Sequence, residues 1–107
     1  MSGEFKIAFK DSDWLKAHHQ RVREFIASLP TFLREGERGH LLLHERHPGT
    51  AWEYEVEIAF RPNALDVSVL SPTRAWLEDV PRLVDWLSKQ TEAVVLDDDD
   101  EEWNFDN

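Results

Sequence analysis

From Glu4 to Lys10 the chain alternates, with Phe5, Ile7 and Phe9 on one side and Glu4, Lys6, Ala8 and Lys10 on the other. A period of two marks a strand with one buried face. Asp11-Ser12-Asp13 supplies a helix N-cap and early negative charge. From Trp14 the apolar positions fall at Trp14, Leu15, His18, Val22, Phe25, Ile26 and Leu29, one stripe at the helical period. Pro30 ends that helix. Phe32 and Leu33 are expected to add one more turn, with a polar loop from Glu35 to Gly39.

Three strands are expected next, His40–Arg46, Trp52–Arg61 and Leu65–Ser71. In the middle one Trp52, Tyr54, Val56, Ile58 and Phe60 face one way, while Glu53, Glu55, Glu57 and Arg61 face the other. A slip of one residue would turn an apolar row into water, so the faces fix the register. Leu41 goes opposite Ile58 and Leu43 opposite Val56, which also sets His44 against Glu55 and Arg46 against Glu53. Across Pro62-Asn63, Ile58 meets Val67 and Val56 meets Val69. After Ser71-Pro72 the spacing becomes helical. Pro81 is tolerated only in a first turn, so a short turn at Thr73–Leu77 and a helix capped by Asp79 and reaching Gln90 are expected. Ala93–Asp97 is the last strand. The order β-α-β-β-β-α-β predicts a two-layer α+β fold, a mostly antiparallel five-stranded sheet with two helices on one face. Its other face is open to solvent unless a partner covers it. The expected organisation is one domain over residues 1–97 and an acidic C-terminal segment over 98–107.

Charge changes this picture most at the end of the chain. The 107 residues hold 22 acids and 12 bases. Eight of the acids lie from Glu92 onward, where there is no Lys or Arg, so −8 of the net −10 sits there and the rest is nearly balanced. Asp97-Asp98-Asp99-Asp100-Glu101-Glu102 are six adjacent carboxylates that repel one another, which calls for a reason other than stability. They follow an apolar strand without a linker and precede Trp103 and Phe105, aromatics of the kind that anchor interfaces. As an alternative use, acids on an edge strand discourage edge-to-edge pairing, and the two aromatics could then fold back over the sheet. Glu53, Glu55, Glu57 and Asp66 form a second acidic area at strand spacing. Such a surface suits a basic protein and repels nucleic-acid backbones and anionic membranes.

Catalytic signatures are sparse. The chain has no Cys, which removes disulfides and thiolate chemistry, and its four glycines have no phosphate-loop spacing. Ser68, His44 and Glu55 make a triad only on paper. His40 and His44, four apart on one strand beside the glutamate row, offer a possible metal or small-enzyme site, although no spacing there is diagnostic. The acid run lacks the glycine turn of a calcium loop. No catalytic residue, metal or cofactor is therefore expected. Met1–Lys6 lacks the order of a secretion signal, and a cytoplasmic protein is the expectation.

Trp76-Leu77, the run Val80-Pro81-Arg82-Leu83-Val84-Asp85-Trp86-Leu87, then Ala93–Leu96 and the acids Asp97–Glu102 together resemble the small acidic immunity proteins that bacteria make against polymorphic or contact-delivered toxins. The resemblance implies a non-enzymatic inhibitor of a cognate toxin, often a basic nuclease, in the producing cell. The expected interface is Asp97, Asp98, Asp99, Asp100, Glu101, Glu102 and Trp103, with Glu53, Glu55 and Glu57. A nucleic-acid mimic that blocks a defence protein would use the same charges.

Overall fold

The computed structural model describes residues 3–45 and 53–103. Among them run β1 (Gly3–Phe9), α1 (Ser12–Ala17), α2 (His19–Ala27), β2 (Phe32–Glu35), β3 (Leu41–Leu43), β4 (Val56–Phe60), β5 (Ala64–Val69), α3 (Val80–Gln90) and β6 (Ala93–Leu96). The fold is α+β, with an antiparallel sheet in the order β2-β3-β4-β5-β1-β6. β1 is antiparallel to both β5 and β6, so those two run the same way on either side of it, joined through α3. The expected registers hold, with Leu41 opposite Ile58, Leu43 opposite Val56, Ile58 opposite Val67 and Val56 opposite Val69. The inward row of Ile7, Leu43, Ile58, Leu65 and Val67 packs on Leu15, Val22, Ile26, Leu83 and Leu87 from the helices. Arg46 and Trp52 lie outside the described residues.

Four expectations are corrected. The sheet has six strands because Phe32–Glu35 forms an edge strand rather than another helical turn. A register shift between Phe32 and Arg34 and two charged residues hide its alternation. The stripe from Trp14 to Leu29 is two helices, broken at His18 (φ −116°, ψ 18°). There the imidazole Nδ1–H donates back to the Trp14 carbonyl at 2.8 Å and the ring stacks on Trp14. Asp11 caps α1 through its side chain as expected, but Asp79 makes no cap. A turn of π-helix, Ala75–Asp79, runs straight into α3. The buried Asp79 carboxylate instead accepts from the Thr31 backbone N–H (2.8 Å) and hydroxyl (2.5 Å), and from Arg82 (2.6 Å). It ties the π-turn to the β2 entry, 48 residues away in sequence.

The fourth correction is Glu55, expected on the open face but fully buried. β4 begins only at Val56, so Glu55 escapes the alternation. Its Oε1 accepts from the Glu45 N–H at 2.7 Å and the Thr73 hydroxyl at 3.1 Å. Its Oε2 lies 3.1 Å from His44 Nε2, an ion-pair distance without hydrogen-bond geometry.

Candidate functional site

The acidic run is a folded turn. β6 leads into Asp97, whose N–H donates to the Glu101 carbonyl (2.8 Å) and whose carbonyl accepts from the Asp100 N–H (3.0 Å). The Asp97 side chain closes the turn from inside. Its Oδ1 accepts from the Asp99 N–H at 2.9 Å and the Glu101 N–H at 3.0 Å. Asp100 takes a left-handed conformation (φ 60°), which a short polar side chain tolerates better than most. The chain then returns antiparallel to itself, with Glu102 bridged to Leu96 and the Trp103 N–H donating to the Val95 carbonyl at 2.8 Å.

Trp103 lands on the protein's own aromatics. Its ring meets Phe5 edge-on at 5.1 Å and Trp76 at 6.4 Å, and 38% of the residue stays exposed. The segment expected to follow the domain at residue 98 thus stays against it through Trp103. Phe105 and Asp106 lie outside the described residues.

The turn holds three of its carboxylates, Asp97, Asp98 and Asp100, beside the open face. Glu4, Lys6, Asp66, Asp97, Asp98 and Asp100 line one shallow recess of about 270 Å³, five carboxylates against one ammonium. Desolvating such a concentration of like charge favours a cationic partner. The row continues across the sheet: Glu4 lies opposite Ser68, which lies opposite Glu57. Some of these acids are already held, Asp66 by Arg61 at 2.6 Å and Glu4 by the Ser68 hydroxyl at 2.8 Å. The oxygens of Asp97, Asp98 and Asp99 come within 4.8 Å of one another on the exposed turn.

The expected interface residues therefore separate into three places. Asp97–Glu102 and Trp103 stand at the β6 edge. Glu53 and Glu57 line a different cleft toward the β2 edge. Glu55 is inside the protein. The histidines separate too. His40 Nδ1 donates to Glu57 at 2.9 Å, while His44 goes to Glu55, so the two imidazoles do not converge on one carboxylate. The paper triad breaks at Ser68, whose hydroxyl points to Glu4.

Sequence reasoning missed Glu4 as part of the acidic surface and grouped Asp66 with the glutamates of β4, not with the turn. Both fall on polar positions of alternating strands, and only the strand order β5-β1-β6 brings them beside the turn. No helix among the described residues is long and apolar enough to cross a membrane. Comparison of the chain with protein-family models, curated proteins and solved structures finds no match.

Proposed function

We propose that this protein binds a basic protein partner on the acidic β6 edge and the adjoining open face, as an immunity protein that neutralises a cognate toxin in the producing cell. The observation that carries the reading is the recess in which Glu4, Asp66, Asp97, Asp98 and Asp100 face one ammonium group. A turn closed by the Asp97 carboxylate holds those charges in place before the partner arrives, which lowers the ordering cost of binding. Opposite charge steers a basic partner in and raises the association rate by roughly ten- to a thousand-fold at low salt. The half-exposed Trp103 beside the turn adds an aromatic contact. The resemblance to small acidic immunity proteins supplies the class of partner.

The test is co-purification with the product of the adjacent gene, comparing the parent with a triple variant, Asp98→Asn, Asp99→Asn and Asp100→Asn. Asn tolerates the left-handed position, and Asp97 keeps its closing bonds, so the turn survives while three charges go. The expected result is association slowed by about tenfold or more, with a weaker dependence on salt. A folded variant that binds and neutralises as well as the parent refutes the role of the turn. Truncation at residue 98 is a poorer test, because it also removes the Glu102 bridge and the Trp103 packing.

A further inference from the structure

A cleft larger than the recess at the acidic turn lies elsewhere on the molecule. It lies on the open face toward the β2 edge, with a volume of about 500 Å³, and Arg34, Arg38, His40, Glu53, Tyr54 and Glu57 line it over a floor at Leu42. Three separate parts of the fold aim these groups at it: β2 contributes Arg34, the turn before β3 contributes Arg38, and the start of β4 contributes Glu57. Arg38 is held there in a left-handed conformation (φ 60°, ψ 18°), strained for a side chain of its size, with Gly39 (φ 75°) following.

The charges in this cleft are not used up by one another. Glu57 is bonded to His40. The side chains of Arg34, Glu37, Arg38 and Glu53 take part in no hydrogen bond or ion pair among the described residues, although they share one cleft. Tyr54 stands among them, its phenol pushed above 10.0 by burial first and then by Glu57 and Glu53, with Arg34 pulling the other way. Its hydroxyl stays a neutral donor at physiological pH. A simple anion placed here meets Glu37 and Glu53, and a simple cation meets two guanidinium groups. Only a ligand carrying both signs pairs every unpaired charge.

We propose that this cleft binds a small zwitterion of the α-amino acid class, its carboxylate held by Arg34 and Arg38 and its ammonium group by Glu53 and Glu57. Size agrees: the volume falls within the range of small-molecule sites, roughly 300–1,000 Å³. The site stands apart from the acidic turn and does not depend on the toxin reading.

The test is a nuclear magnetic resonance titration of the whole isotopically labelled chain. The probes are glycine and L-glutamine, whose only charges are the α-groups. The controls are N-acetyl-L-glutamine, which lacks the ammonium group, L-glutaminamide, which lacks the carboxylate, and inorganic phosphate. Shifts confined to residues 34–42 and 53–57 are expected. Each blocked form and the Arg34→Gln variant should bind about tenfold or more weakly, the loss of one charge-assisted hydrogen bond, while Asp98→Asn should leave binding unchanged. No shift with either amino acid, equal binding of the blocked forms, or phosphate binding as tightly as the zwitterions each overturns the proposal. An unchanged spectrum elsewhere in Arg34→Gln shows that the fold is intact.

Discussion

Removing the Glu55 carboxylate leaves the Glu45 N–H and the Thr73 hydroxyl without their acceptor inside the protein. A buried donor stripped of its partner bears the full desolvation cost, so Glu55→Ala should destabilise by about 3 kcal/mol, read as a lower urea midpoint. Glu55→Gln retains an acceptor oxygen and should lose less. If the two variants unfold together, the charge and its contact with His44 matter more than the hydrogen bonds. Tyr54 gives a second measurement. It is the only tyrosine in the chain, so an alkaline ultraviolet titration reads it alone. Its midpoint should lie above 10.0, because burial and the neighbouring Glu57 and Glu53 carboxylates disfavour the phenolate. The folded state holds that proton more tightly than the unfolded chain does. The associated stability is therefore present at neutral pH and is lost as pH rises through the folded value. A midpoint at or below 10.0 would place the phenol away from those acids.

At the level of elements, the strands with clean alternation were legible in the sequence, and so was their pairing. Val56, Ile58, Val67 and Val69 fix one another's register because each has only one face to bury. What the sequence hid depends on contacts between distant segments. β2 carries only Phe32 and Leu33 before two charges, and Leu43 across the ladder makes it a strand. Asp79 reads as a cap because a carboxylate before a helix usually is one, yet Thr31, 48 residues earlier, takes it. The closing strand stub is hidden for the same reason, since six acids contain no signal for a turn that Asp97 itself closes. Two variants separate these ties. Asp79→Ala should cost about 3 kcal/mol by orphaning the Thr31 N–H and hydroxyl. Trp103→Ala should cost about 1 kcal/mol through the lost ring contacts with Phe5 and Trp76. Urea unfolding of both checks the order, and a larger loss for Trp103→Ala would make the return of the chain the stronger element.

Across the whole molecule, acids gather at one edge of the sheet while the nearly balanced body carries isolated ion pairs such as Arg74–Glu78 and Lys89–Asp85. Exposed pairs like these contribute about 0–1 kcal/mol each. Repulsion among Asp97–Glu102 outweighs them, so the melting temperature should rise as salt is added and the Debye length shrinks to about 10 Å at 0.1 M. A melting temperature that falls with salt would show that attraction between charges dominates instead. The arrangement of the sheet also decides when the protein can form. β1 is synthesised before every other strand, yet it lies between β5 and β6. Its ladder partners are Ala64–Val69 on one side and Ala93–Leu96 on the other, both distant in sequence. Pairings this remote close slowly. On the ribosome, Phe5, Ile7 and Phe9 must therefore wait without a finished core until residues beyond 90 have been made. During that interval the apolar row of β1 is the segment most in need of a chaperone.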